Sequence, residues 1–152
     1  MLVQLYLASL SAGEPLRCRI HRTADVCAAH PAALTAVLPP ANDQFEWFFV
    51  VRRRRTEHQG DDGTALPRRA GPGQYVPAAR YWGVTDGEGR KLGYRRLFRY
   101  REDDEQVRRT SRTVWSMEEY GFGPDFPYGE HGGDQELVVC KVYQRMARQQ
   151  DA

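Results

Sequence analysis

The chain has 152 residues, a length that suits one domain burying about two-thirds of the surface its unfolded form would expose. Its net charge is only +2, so a charged surface must come from segregation of its 22 basic and 20 acidic side chains rather than from an overall excess. Cys18, Cys27 and Cys140 are odd in number, widely spaced and lack a C-x-x-C pair, so neither a disulfide framework nor a zinc knuckle is indicated and they read as buried thiols in a reducing compartment.

In chain order, residues 1–11 carry an apolar run with no basic leader and are too short to span a bilayer, so an intracellular, soluble chain is expected. Leu2, Val3, Tyr6, Leu7 and Leu10 recur at helical spacing and predict a short helix ending near Gly13. A helical turn is expected after His30-Pro31, and Pro39-Pro40 closes this third of the chain. From Phe45 the period becomes two and both faces are apolar, which predicts a strand placed centrally in a sheet. It runs into Arg52-Arg53-Arg54-Arg55, read either as a solvated run or as phosphate contacts. Residues 56–76, rich in Gly, Asp, Pro and Arg, read as a long mobile loop.

The second half reads as antiparallel strands joined by turns. Residues 80–85 form one strand, Asp86-Gly87-Glu88-Gly89 a hairpin turn suited to positive φ, and residues 91–101 the return strand. In the return strand Leu92, Tyr94, Arg96, Phe98 and Tyr100 share a largely aromatic face, while Arg95, Leu97, Arg99 and Arg101 share a largely cationic one. Arg95 and Arg96 therefore point to opposite faces: at most one is available to an outside partner, and the other is expected to pair with Glu118 or Glu119. Residues 113–120 and 136–144 complete the strands, with a Gly- and Pro-containing loop between them. Glu102-Asp103-Asp104-Glu105 lies between the basic strand and Arg108-Arg109, either folded back on the arginines or as a solvated loop.

Trp47, Trp82 and Trp115 read as core anchors, since strand aromatics usually pack inward. The four histidines show no ligand spacing, and no metal or cofactor is expected. Neither a nucleophile with its base nor a Gly-rich phosphate loop, G-x-S-x-G or H-E-x-x-H is present, so the chain does not read as an enzyme and no small-molecule substrate is expected. Arginines beside aromatic strands point instead to a nucleic-acid backbone.

Taken together, the strand patterns resemble the plant NAC domain of transcription factors. Glu46-Trp47-Phe48-Phe49 is similar to the family's E-W-[FY]-F-F block, with Arg52 to Arg55 at its basic exit. Tyr81-Trp82-Gly83-Val84-Thr85-Asp86 resembles the W-K-A-T-G block, and Arg95-Arg96-Leu97-Phe98-Arg99-Tyr100 the K-K-x-L-V-F-Y strand. Thr113-Val114-Trp115-Ser116-Met117-Glu118-Glu119-Tyr120 resembles T-x-W-x-M-H-E-Y, and Leu137-Val138-Val139-Cys140-Lys141-Val142-Tyr143 the closing block. Near the start, Gly13-Glu14-Pro15-Leu16 and Ala24-Asp25-Val26 resemble the family's G-x-P-L loop and acidic segment. Gly83 stands where the family has lysine and Asp86 where it has glycine, which brings an anion towards the expected DNA surface.

The resemblance implies an α+β, mainly β fold: a twisted antiparallel sheet flanked by a few short helices. It implies a single DNA-binding domain over residues 1–145 with a short tail at 146–152, and an amino-terminal part that is truncated, because the family's opening L-P-P-G-F-R-F block would precede Leu2. The function implied is sequence-selective binding of double-stranded DNA and regulation of transcription in the nucleus. Arg80, Thr85, Arg90 and Lys91 are expected near the groove, and Arg95 or Arg96 with Arg108, Arg109 and Arg112 on phosphates. Other expected partners are homo- or heterodimerising NAC proteins, and no membrane. The second reading is a truncated module that heterodimerises with or titrates full-length relatives without binding DNA itself.

Overall fold

The computed structural model describes residues 20–21, 24–54, 66–85, 88–89, 91–122 and 135–147; the side chains of residues 53–54, 79–85, 91–92, 122 and 135–137 are not described. The helix expected near the amino end lies outside the described residues. Those residues form a mainly β fold, a curled antiparallel sheet of six strands with two short helices. In chain order these are α1 (Pro31–Ala36), β1 (Trp47–Arg54), β2 (Arg68–Ala70), β3 (Gly73–Thr85), β4 (Lys91–Glu102), α2 (Glu105–Thr110), β5 (Thr113–Phe122) and β6 (Gln135–Met146). The sheet order is β1-β6-β5-β4-β3-β2.

Each element has a local cause. The turn expected after His30-Pro31 is α1: His30 caps it by accepting from the Ala32 amide at 3.0 Å, and Pro31 sits where its missing N–H costs nothing. Phe45 is not in the strand that the period predicts to begin there. It takes a φ of 56° and is 64% exposed, because Asn42 Oδ1 accepts from the Gln44 and Glu46 amides and closes a turn that delays β1 to Trp47. The expected central position of β1 is also corrected, since it is the sheet's first strand. Its open edge is met by His21, which runs parallel beside Phe49 and exchanges backbone hydrogen bonds with Phe48 and Val50 at 2.9 and 3.0 Å.

Part of the expected loop at residues 56–76 is strand. β2 and the start of β3 form a hairpin in which Ala70 pairs with Gly73 across Gly71-Pro72. Gly71 has φ 63° at the first turn position and Pro72 cannot follow with a positive φ, the pattern of a II′ turn. Any Cβ at Gly71 would lie 2.7 Å from the His30 amide nitrogen. The core is built by the inward sides of β1, β3, β4, β5 and β6, with Phe49, Tyr75, Phe98, Met117, Cys140 and Val142 buried among others, and is capped by Val26, Leu34 and Leu38. Trp47 is an anchor as expected: it is buried and its indole N–H donates to the Leu38 carbonyl at 2.9 Å. Trp115 is half-buried against it, ring centroids 6.1 Å apart.

Candidate nucleic-acid interface

β4 organises the charge. Its alternation is the one read from sequence: Tyr94, Arg96, Phe98 and Tyr100 are buried, while Arg99 and Arg101 on the other face are exposed. Arg96 is only 8% exposed, its guanidinium 4.7 Å over the Tyr94 ring, so it belongs to the interior. Arg95 keeps 37% of its side chain exposed and pairs with Glu118, one of the two partners foreseen.

Glu118 and its neighbour Glu119 are both buried, on opposite sides of β5. Burial works to raise the Glu118 pKa, but hydrogen bonds from Lys141 (2.9 Å) and Arg95 outweigh it and hold the carboxyl below its usual range. Lys141 also reaches Glu46 at 3.2 Å, and the Tyr120 hydroxyl donates to Glu118 at 2.8 Å, where burial and the carboxylate push its own pKa upward. Glu119 is completely buried and receives a two-pronged guanidinium from Arg68, together with the Tyr94 hydroxyl at 3.3 Å. Arg68 also lies 4.5 Å over the Phe98 ring. The reading of residues 56–76 as a loop hid this contact, because nothing in the local pattern around Arg68 points 51 residues ahead.

At the other end of β4 the arginines gather differently. β4 and β5 pair only as far as Arg99 opposite Ser116; beyond that point α2 spans the gap between them. A cleft of about 840 Å³ opens there, walled by Arg99, Arg101, Arg108, Arg109 and Arg112. Sequence reading missed α2, although its signals were present: Asp104 caps Gln106 at 2.9 Å, Glu105 sits in the first turn, and Arg108 and Arg109 sit in the last. The acidic run does not fold over the arginines as a block. Glu102 accepts from His30, Asp103 pairs with Arg69, Asp104 caps α2, and Glu105 takes Arg109 at 2.6 Å. Arg108 donates to the Glu102 carbonyl at 3.2 Å. Among the described residues, the side chains of Arg101 and Arg112 make neither an ion pair nor a hydrogen bond.

The comparison with protein-family models decides the identity: the model described as No apical meristem (NAM) protein matches residues 1–122. The chain belongs to the NAC domain family. NAC proteins are in general DNA-binding transcription regulators of plants, dimeric and nuclear, and the family is not one of enzymes. No curated protein matches the chain.

Within this NAC sheet the expected contact residues fall into two groups. Tyr81, Trp82, Gly83, Val84 and Thr85 pair with the Lys91 to Arg96 stretch of β4 at one end of the β3–β4 ribbon, where β4 is also paired with β5 from Gly93 onward and β3 is the outer strand among the described residues. The backbones of Arg80, Thr85 and Lys91 are at that end, and Arg90 lies outside the described residues. Arg108, Arg109 and Arg112 are beside the opposite end, where Gly73 pairs with Glu102. Along the strand the separation is on the order of 30 Å at about 3.3 Å per residue. The structure thus brings Arg108, Arg109 and Arg112 together, adds Arg99 and Arg101 to them, and sets all five apart from Thr85 and Lys91.

Proposed function

We propose that this NAC domain binds double-stranded DNA sequence-selectively and thereby regulates transcription in the nucleus, presenting the Thr85–Lys91 end of the β3–β4 ribbon to the major groove. An outer strand of a sheet with its turn can enter that groove, and flanking cations fix its register on the phosphates without themselves reading sequence. The observation that carries the proposal is the register of this ribbon, which sets Trp82-Gly83-Val84-Thr85 directly against Lys91 and Arg95 within the span matched by the family model. Arg80, Thr85, Arg90 and Lys91 are the groove residues, and Arg95 is the nearest described phosphate ligand. Arg96 is left to the fold by its burial. Arg108, Arg109 and Arg112 touch the same duplex only if it lies along the length of the ribbon.

Reversing charge at the groove end tests this. Lys91→Glu is expected to weaken duplex binding by about tenfold or more, as lost attraction turns to repulsion at a phosphate, and Asp86→Gly is expected to tighten it. Unchanged affinity in both variants, measured by gel shift or fluorescence anisotropy, would place the DNA contact elsewhere.

A further inference from the structure

We infer that the arginine-walled cleft beside α2 binds a small phosphorylated molecule of about nucleotide size, at a site separate from the ribbon's DNA contact. Three elements converge on it: the end of β4 with Arg99 and Arg101, α2 with Arg108 and Arg109, and the link to β5 with Arg112. Its volume of about 840 Å³ lies within the span of roughly 300 to 1,000 Å³ typical of small-ligand sites. Among the described residues Glu102 is the one carboxylate in its walls, and His30 already holds it.

This clustering differs from the surroundings of Arg68, Arg69 and Arg95. Arg68, Arg69 and Arg95 each meet a carboxylate, as expected where acids and bases are nearly equal in number. In the cleft, Glu105 answers Arg109, while Arg101 and Arg112 meet no such group among the described residues, and Arg108 directs a donor to a carbonyl. Arg101 and Arg112, guanidinium groups of one cleft that meet no counter-charge among the described residues, repel one another, and an entering anion relieves that repulsion. Their planar forks suit the oxygens of a phosphate, with several donors from different walls available to one dianionic group. Val76, Val114 and the half-buried Trp115 supply an apolar wall beside the cations, suited to the flat body of a nucleotide. The same phosphate chemistry is also offered by a DNA backbone. The cleft's distance from Lys91, on the order of 30 Å along the strand, favours a separate small ligand.

Calorimetric titration of the full chain, free of DNA, with ATP, pyrophosphate and adenosine tests the inference. ATP and pyrophosphate are expected to bind and adenosine to give no heat. R101E/R112E is expected to bind ATP at least about tenfold more weakly while melting at the parent temperature. If that double variant does not fold, Arg101→Gln and Arg112→Gln singly are expected to weaken ATP several-fold. Absence of ATP binding at low salt, equal binding by the folded variants, or adenosine binding as well as ATP overturns the inference. Repeating the titration with the chain saturated by duplex gives the second arm. Persistent ATP binding supports a separate site, whereas exclusion of ATP by the duplex assigns the cleft to the DNA backbone and overturns it. The DNA-free arm stands or falls independently of whether the ribbon binds DNA.

Discussion

The centre of the sheet and its α2 end use the same residue type in opposite ways. At the centre, Arg68 and Arg95 are locked to Glu119 and Glu118 between strands, and Arg96 lies over an aromatic ring. At the α2 end, Arg101 and Arg112 stand in an open cleft and pair with no carboxylate among the described residues. Buried guanidinium groups must be paired, because an isolated ion loses its hydration; cleft arginines keep theirs and stay available to an outside anion. Burial therefore separates Arg68 and Arg96, which hold the fold, from Arg101 and Arg112, which stay open to a partner, while Arg95, on the face of Arg99 and Arg101, is paired and still partly exposed.

The largest way to break this contrast is at Arg68. Arg68→Ala strands a fully buried carboxylate and is expected to cost about 3–5 kcal/mol in urea or thermal unfolding, whereas Arg68→Met combined with Glu119→Leu should recover most of that loss. A single variant as stable as the parent would show that the pair does not hold the sheet. Next comes Gly71→Ala, which forces an L residue to φ 63° against the His30 backbone and should cost on the order of 1–2 kcal/mol.

Acid sharpens the central half of the comparison. Glu118 has a lowered pKa in the fold, so the unfolded chain binds its proton more readily; the stability it contributes is present above the ordinary carboxyl value of 4.5 and is lost as pH falls through the lowered folded value. Melting temperature measured downward from neutral pH should fall through that window, and Glu118→Gln should flatten part of the slope. At the alkaline side, Lys141 and Tyr120 have raised pKa values in the fold, so their contribution is present below about 10 and is lost as pH rises beyond it. The smallest effect belongs to the cleft: Arg101→Ala is expected to change stability by no more than about 0.5 kcal/mol.

The strands of the second half were legible because their period is local. Tyr94, Phe98 and Tyr100 declare one face of β4 within a few residues, and the five motif blocks in their order carry the family resemblance. The position of β1 was not legible, since an apolar pattern on both faces signals burial above and below the strand without saying what pairs with its edges, which here are β6 and the His21 bridge. Glu119's partner was equally hidden, because Arg68 reaches it from a stretch whose glycines, prolines and acids read as loop. The cleft was half visible: Arg108, Arg109 and Arg112 were singled out, but their convergence with Arg99 and Arg101 depends on where β4 and β5 part, a long-range fact.

The most direct measurement of the DNA-binding claim is the salt dependence of affinity for duplex DNA. Measurable binding at low salt is expected, with log affinity falling linearly against log salt at a slope of about −0.9 for each phosphate engaged, and a slope reduced by about one in Lys91→Ala. No binding to duplex at low salt, or an affinity that salt leaves unchanged, would contradict it.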